Sequence, residues 1–261
     1  MTHTPHRLEV ENANIGYGDK IVINDLSFQV PPGARVAVVG PNGAGKSTLF
    51  KALVGLLPLE SGRILIDGES LGAYKDCIAY VPQREDVDWR FPVTVNDVVM
   101  MGRYGQIGWF SRPSSRDKQI VDKSLEQMGI ADLSNQSIGK LSGGQQQRAF
   151  LARALAQEPH VLLMDEPFTG VDVTTQEVTF NLLDHLRKRE VTTLISTHDL
   201  NLAASRFDLV LLMNHRLIAY AEPSLAFQQQ NLQEAFGDSL LIMKDGTMLV
   251  EEHHHYHEEL K

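Results

Sequence analysis

A glycine-rich segment, GPNGAGKS, spans residues 40–47 and stands between two patterned stretches of the chain. The apolar run RVAVV at 35–39 precedes it and is typical of a buried strand, and residues 47–56 after it have a helical pattern. In this context a match to G-x-x-x-x-G-K-S/T indicates a phosphate-binding loop, because glycines let backbone N–H groups curl toward phosphate oxygens at a helix N-terminus. The chain is therefore predicted to fold around a strand–loop–helix unit that holds phosphate groups.

The polar residues in and near this loop can each be assigned a role from their chemistry. The Lys46 ammonium reaches the outer phosphates, and the Ser47 hydroxyl can ligate Mg2+. Asp165 follows the apolar run at 161–164, which places its carboxylate beside the loop across a parallel sheet, where it can hold Mg2+ directly or through water. Glu166 points in a different direction and can orient or deprotonate an attacking water. The predicted phosphate-binding residues are Gly40, Pro41, Asn42, Gly43, Ala44, Gly45, Lys46, Ser47 and Thr48.

Strand and helix patterns alternate along the rest of the chain. Residues 7–39 read as short strands around a Pro-Pro-Gly turn, and buried-strand runs recur at 161–164 and 191–197. Residues 84–140 lose this β character and become mixed, which indicates an inserted helical region. The alternation predicts an α/β fold whose sheet is mostly parallel in its second half.

Local signals predict where several elements begin and end. Ser115 is the predicted cap of an amphipathic helix that stops at Gly129. A second helix is predicted over 143–157, before Pro159, and a capping box at 174–177 predicts the start of a third. A polar tail is predicted from near residue 221.

Composition limits the classes of protein to which the chain can belong. Its 261 residues carry a formal net charge of −9, which disfavours non-specific binding to nucleic acid, so no nucleic-acid partner is expected. Its apolar runs fall far short of the roughly 18 to 20 residues that span a bilayer, and the N-terminus has no secretory pattern. Cys77 is the single cysteine, which permits no internal disulfide and suits a reducing cytosol.

The string LSGGQ at 141–145 resembles the signature of ATP-binding cassette (ABC) proteins, and the resemblance extends over most of residues 8–220. It implies a P-loop NTPase fold with a mostly parallel core sheet, an N-terminal antiparallel β subdomain and an inserted helical subdomain at about 84–157. The implied organisation is one nucleotide-binding domain over 7–235, followed by a C-terminal extension at 236–261. The implied ligands are ATP and Mg2+.

The resemblance also implies roles for further residues. Tyr17 would stack on adenine, and Gln83 would link Mg2+ and water to a membrane permease. His198 would contact the γ-phosphate, and Asp172 would communicate across a head-to-tail homodimer. In that dimer the signature of one subunit closes over the ATP of the other. The signature residues at this helix N-terminus are Ser142, Gly143, Gly144 and Gln145.

A single domain of this kind is similar to importer subunits that work in pairs beneath a separate permease, on the cytoplasmic face of the inner membrane. The segments at 80–105 and 165–175 resemble the subfamily that imports manganese, zinc or iron, and they are most like the manganese members. An extracytoplasmic metal-binding protein would then be an indirect partner. Two alternatives remain open: an importer of an iron chelate, haem or a vitamin, and a soluble regulatory ABC ATPase that needs no permease.

Two further sequence features each have two interpretations. An aromatic and aliphatic set can line a groove for a short permease helix, or it can simply pack the helical region. This set is Trp89, Phe91, Val93 and Val98. The tail residues His253, His254, His255 and His257 can bind a divalent metal ion and sense it, or they can belong to a solvated tail.

Overall fold

The described part of the chain alternates strands and helices in a computed structural model that covers residues 7–73, 77–108, 111–237, 240–242 and 248–250. The strands are β1 (Leu8–Tyr17), β2 (Lys20–Val30), β3 (Arg35–Val39), β4 (Leu59–Ile66), β5 (Glu69–Ser70), β6 (Ile78–Val81), β7 (Val161–Met164), β8 (Thr192–Thr197), β9 (Leu209–Met213), β10 (Leu217–Ala221), β11 (Leu240–Ile242) and β12 (Met248–Val250). The helices are α1 (Lys46–Leu53), α2 (Val95–Met101), α3 (Tyr104–Ile107), α4 (Ser115–Gln127), α5 (Gly143–Ala156), α6 (Val173–Lys188), α7 (Leu200–Arg206), α8 (Pro223–Ala226) and α9 (Gln229–Phe236). No helix among these residues is both long enough and apolar enough to span a bilayer.

A six-stranded sheet with the order β10-β9-β3-β8-β7-β6 forms the centre of the fold. All neighbouring strands in it are parallel except the β10–β9 pair. Val39 of β3 pairs with Thr197 of β8, and Met164 of β7 pairs with Ile195 of β8. The segments that follow β3, β7 and β8 therefore leave the sheet at the same end, where the parallel strands have their carboxyl termini. The predicted α/β fold with a mostly parallel core sheet is confirmed.

Both faces of the central sheet are covered, which explains its apolar sequences. Along β3, Ala37 and Val39 face one hydrophobic cluster, while Val36 and Val38 face another. A strand buried on both faces reads as a continuous apolar run. The second cluster also contains Phe50 of α1 and the inner residues of a four-stranded antiparallel sheet with the order β2-β1-β4-β5.

The inserted helical region is anchored by a buried arginine. Arg103, 5% exposed, donates from Nε to Asp117 Oδ1 at 3.1 Å and from Nη1 to the Ala156 carbonyl at 2.7 Å. Its Nη1 also lies 3.1 Å from Glu158 Oε2. Arg103 thus links the segment after α2 to the first turn of α4 and the last turn of α5.

Three local predictions were wrong in detail. Ser114, not Ser115, caps α4, since its side chain accepts from the Asp117 N–H. Asp172, not Thr174, caps α6, because its carboxylate accepts from the Thr175 N–H. The polar tail does not begin near residue 221, because α8 and α9 follow and bury apolar side chains. These buried residues are Ala226, Leu232, Ala235 and Phe236.

Candidate functional site

A cavity of about 530 Å³ lies where the glycine-rich loop and the segments after β7 and β8 meet. Its size falls in the range typical of small-molecule sites, roughly 300 to 1,000 Å³. It brings together most of the predicted phosphate loop and four residues from other parts of the chain, of which Gln83, Glu166 and His198 were predicted and Thr169 was not. The lining residues are Asn42, Gly43, Ala44, Gly45, Lys46, Ser47, Thr48, Gln83, Glu166, Thr169 and His198.

The loop has a shape that only glycine permits at two positions. A Cβ atom on Gly40 would lie 2.1 Å from the Met213 carbonyl oxygen, so no side chain fits there. Gly45, the residue before α1, has a φ of +98°, a conformation that L side chains rarely adopt. Lys46 is buried, and its Nζ donates to the Gly40 carbonyl at 2.9 Å and to the Pro41 carbonyl at 3.1 Å. The loop thus places one ammonium group at the N-terminus of α1, where an anion is favoured.

The two adjacent carboxylates at the end of β7 have different surroundings. Asp165 is 1% exposed, and its Oδ1 accepts from the Ser196 hydroxyl at 2.5 Å. The hydroxyl of Tyr80 lies 3.5 Å from its Oδ2. Glu166 has a positive φ of 46°, its N–H donates to Ser196 Oγ at 2.8 Å, and it lines the cavity. The prediction that the two carboxylates point differently agrees with this geometry.

Glu166 is held as an anion by its neighbours. Its Oε2 lies 3.5 Å from His198 Nδ1 and accepts from the Thr169 hydroxyl at 3.2 Å. The hydrogen bond with His198 is the main cause that lowers the pKa of Glu166; burial opposes it, and the charge of Lys46 assists it. A carboxylate with a lowered pKa is an acceptor at neutral pH, so it can orient a water molecule or take its proton.

The oxygen atoms near the loop fit Mg2+ in their chemistry. Ser47 and Gln83 line the cavity, and Asp165 immediately precedes Glu166. Hydroxyl, amide and carboxylate oxygens are the donors that this hard cation prefers. The described residues contain no group of three or more His, Cys, Asp or Glu side chains that could hold a metal ion. Mg2+ usually keeps several waters and shares phosphate oxygens with a bound nucleotide.

The predicted signature lies outside this cavity. Ser142 caps α5 with a capping box, in which Gln145 Oε1 accepts from the Ser142 N–H at 2.9 Å. A Cβ atom on Gly144 would lie 2.5 Å from Thr175 Oγ1 and 3.0 Å from Asp172 Oδ2, so the signature packs on the start of α6. The structure thus brings Asp172 to the signature. Asp172, the signature residues and the half-exposed Tyr17 do not line the cavity.

A separate groove of about 590 Å³ runs beside the helical region. Its lining residues are Lys51, Val54, Leu56, Ile78, Tyr80, Pro82, Asp86, Arg153 and Gln157. Leu56 is 70% exposed, so the groove includes one large apolar side chain that is open to solvent. Pro82 lines it, and the next residue, Gln83, lines the 530 Å³ cavity, so a two-residue segment joins the two sites.

The aromatic and aliphatic set that the sequence assigned either to a permease groove or to packing of the helical region does not line this groove. Val98 is 5% exposed and belongs to the core, so the packing interpretation, one of the two left open by the sequence, applies to it. Trp89 packs edge-on against Phe150 at 5.0 Å between ring centroids, and Val93 also packs on the core. Phe91, 61% exposed, is the member that faces outward. The histidines at 253–257 lie outside the described residues.

Three residues of the site carried no recognised signal in the sequence. Thr169, Tyr80 and Ser196 contact the two carboxylates, yet none was singled out. Ser196 is a small polar residue within the fully buried strand β8, and such a residue needs a polar partner. That burial requirement is the one signal that could have identified it.

Known proteins resemble this chain over most of its length. The sequence profile of the ABC transporter family matches residues 23–169. The manganese transport system ATP-binding protein MntB of Bacillus subtilis is 44% identical over 241 residues, which cover 92% of this chain and 96% of that protein. The zinc transport system ATP-binding protein TroB of Treponema pallidum is 45% identical over 237 residues, 91% and 89% of the two chains. The chelated iron transport system protein YfeB of Yersinia pestis is 46% identical over 246 residues, 93% and 83%.

Solved structures show the same fold. An inward-facing metal-chelate type ABC transporter aligns with a TM-score of 0.79 and 28% identity over 95% of this chain and 98% of that one. The ADP conformation of an ATP-binding cassette aligns with a TM-score of 0.77 over 89% and 99% of the two chains, at 24% identity. This second likeness concerns the fold alone.

Proposed function

Because this chain belongs to the ABC transporter family, we propose that it is the ATP-hydrolysing subunit that powers import of a divalent metal ion through a separate membrane permease. The observation that carries the proposal is the cavity in which Lys46, Ser47, Glu166 and His198 meet. It combines a phosphate-binding loop with an ionised carboxylate that can act on water.

Each residue of the site has a proposed task. Lys46 and the loop N–H groups bind the phosphates of ATP, and Tyr17 stacks on the adenine. Ser47, Gln83 and Asp165 hold Mg2+. When bound, Mg2+ neutralises charge on the phosphate oxygens. Glu166 orients the attacking water and accepts its proton, while His198 contacts the γ-phosphate and keeps Glu166 ionised. Catalysis on this account relies on positioned charges rather than on a covalent intermediate.

A homodimer completes the proposed site. Gly143 and Gly144 lie in the first turn of α5, which favours anions, yet they do not line the cavity of their own chain. We infer that they close over ATP held by a second copy, with Asp172 packed behind them. ATP would then draw two subunits together, and hydrolysis would release them.

The groove beside the helical region is the proposed contact with the permease. Its exposed Leu56 and its link to the cavity through Pro82 and Gln83 support this assignment. A shift of the permease segment would move Gln83 in the nucleotide site. A change at the nucleotide site that moves Gln83 would likewise shift the permease segment. Since ATP is made inside the cell, the subunit would sit on the cytoplasmic face of the membrane, with an extracytoplasmic metal-binding protein as an indirect partner.

Manganese is the proposed cargo, with zinc or iron as the next candidates. The relatives described above are named for manganese, zinc and chelated iron. The alternative to a free metal ion is an iron chelate, because the protein named for chelated iron is 46% identical and a metal-chelate type transporter shares the fold.

Uptake in the native cell tests the proposal. Radiolabelled manganese, zinc and iron are supplied to wild type and to a strain with Glu166→Gln at the chromosomal locus. The matched control is Glu126→Gln, the same change at an exposed position on α4. We expect Glu166→Gln to abolish uptake of one metal and the control to keep it. Unchanged uptake of all three metals in the Glu166→Gln strain would contradict the metal-import proposal.

The purified subunit tests the chemistry separately. Glu166→Gln should bind ATP and accumulate as an ATP-bound dimer on size-exclusion chromatography. Its steady-state hydrolysis should fall by roughly 10²- to 10⁴-fold, the usual contribution of a general base. Normal hydrolysis by this variant would remove Glu166 from the role of base.

A further inference from the structure

Ser196 occupies a position from which it contacts both carboxylates at the end of β7. It lies in β8, the strand next to β7, and it is fully buried. Its hydroxyl donates to Asp165 Oδ1 at 2.5 Å and accepts the Glu166 N–H at 2.8 Å. One hydroxyl can donate one hydrogen bond and accept others, so a single side-chain atom joins the two residues.

The bond to Asp165 fixes the orientation of a buried carboxylate. Asp165 is 1% exposed, so solvent does not compete for its oxygens. A hydrogen bond from a neutral hydroxyl to a carboxylate is short and strong, and it restricts rotation about the last bond of the side chain. With Oδ1 bound to Ser196, the Oδ2 atom is the one left for a metal ion, and the Tyr80 hydroxyl lies a long 3.5 Å from it.

The bond to Glu166 holds an unfavourable backbone conformation. Glu166 has a φ of +46°, which is uncommon for a residue with a side chain. Its N–H is tied to Ser196, and the rotation of this peptide is what directs the Glu166 side chain into the cavity. Without Ser196 Oγ as its acceptor, this part-buried N–H would lose its hydrogen bond.

We propose that Ser196 is a positioning residue that sets the Mg2+-binding carboxylate of Asp165 and the water-activating carboxylate of Glu166 in one fixed arrangement. The inference rests on the proposed function of this site. On this proposal, β8 supplies no ligand of its own, but it orients the carboxylates of Asp165 and Glu166.

An isosteric pair of variants separates the hydroxyl from the shape of the side chain. Ser196→Thr keeps the hydroxyl and adds a methyl group, while Ser196→Val has the same shape without the hydroxyl. Both suit a β-strand. The control is Thr193→Val on the same strand, because the buried Thr193 hydroxyl has no hydrogen-bond partner among the described residues. Ser196→Ala removes the hydroxyl without adding volume. It therefore tests the role of the hydroxyl if the methyl group added in Ser196→Thr and Ser196→Val prevents folding.

Metal binding is measured without turnover. Each variant is made in the Glu166→Gln background, saturated with ATP, and titrated with Mn2+ as a paramagnetic replacement for Mg2+ by electron paramagnetic resonance. We expect Ser196→Val to weaken Mn2+ binding by roughly 10- to 100-fold, the usual effect of removing a group that orients a metal ligand. Ser196→Thr and Thr193→Val should stay near the parent value. Amide hydrogen exchange at position 166 should accelerate in Ser196→Val and Ser196→Ala, but not in Ser196→Thr or Thr193→Val.

The outcomes are distinct. Equal Mn2+ affinity and equal amide exchange at position 166 in the Thr, Val and Ala variants would overturn the inference. That outcome would leave intact both ATP binding by the Glu166→Gln parent and hydrolysis by the wild type. A parent protein that binds no ATP would instead overturn the proposed function. Weaker Mn2+ binding in Ser196→Val and Ser196→Ala, with recovery in Ser196→Thr, would support the positioning role.

Discussion

The Nδ1 atom of His198 lies 3.5 Å from Oε2 of Glu166, so the two ionisable side chains that enter the cavity after β7 and β8 contact each other. The contact comes from strand order, because β7 and β8 are neighbours and each residue follows its strand. His198 therefore has a second effect besides its proposed contact with phosphate, since it acts on the ionisation of Glu166.

Replacing His198 should raise the pKa of Glu166. The hydrogen bond from His198 is the largest cause that lowers this pKa, and burial, which raises it, would remain in His198→Ala. Carbon-13 NMR of labelled glutamate carboxyls as a function of pH measures the change. The control is His185→Ala, an exposed histidine on α6. A Glu166 pKa that is equal in the His198→Ala variant and the wild type would contradict the prediction.

The lowered pKa of Glu166 also predicts how stability depends on pH. A carboxyl whose pKa is lower in the folded state stabilises that state above its unfolded pKa of about 4.3. This contribution is lost as the pH falls through the folded-state pKa. The free energy of unfolding of wild type minus that of Glu166→Gln should therefore be larger at about pH 7 than at about pH 3.5. Urea unfolding at both pH values measures it, and a difference that grows on acidification would have the wrong sign.

Gly40→Ala should distort the glycine-rich loop. Its Cβ would lie 2.1 Å from the Met213 carbonyl oxygen, a backbone atom that cannot rotate away. Forcing an atom into a packed site costs about 1–3 kcal/mol. We expect this loss in urea unfolding, together with weaker ATP binding in calorimetry. Gly72→Ala is the control, because no atom lies within 4 Å of its Cβ position, and it should change stability by less than about 0.5 kcal/mol.

Arg103→Met should destabilise the chain more than the loss of an exposed ion pair. It leaves the buried Asp117 without its cation and the Ala156 carbonyl without its donor. Removing one partner of a buried pair costs about 3–5 kcal/mol. The control is Arg216→Met, whose contact with Glu234 is solvent-exposed and is worth under about 1 kcal/mol. Equal losses for the two variants in urea unfolding would show that burial of Arg103 does not matter.

The parts of the site that could be predicted from sequence are each marked by a pattern of neighbouring residues. The loop at 40–47 and the carboxylates at 165 and 166 each follow an apolar strand, and local patterns mark such strands. Ser196 was missed because its partners are 30 and 31 residues away. Their contact depends on the β7–β8 register, in which Met164 pairs with Ile195, and no local pattern specifies that pairing.

The helix caps were wrong for a related reason. Near α6, both Asp172 and Thr174 have the residue type of a cap, and the sequence does not distinguish them. In the structure the Asp172 carboxylate caps the helix and also lies beside the position that a Cβ atom on Gly144 would occupy. The residue that caps α6 is therefore the one that also contacts the signature, which is distant in sequence. The roles of Tyr17, Asp172 and the signature in nucleotide binding stay predictions.

The hydrogen bonds from Lys46 to the carbonyls of Gly40 and Pro41 have a consequence for the kinetics of nucleotide binding. They tie the end of the loop to its beginning, so its curvature is maintained by its own side chain. The conformational entropy of ordering the loop is then lost when the chain folds rather than when a nucleotide arrives. Such a preorganised cradle favours fast association, since encounter need not wait for the loop to rearrange.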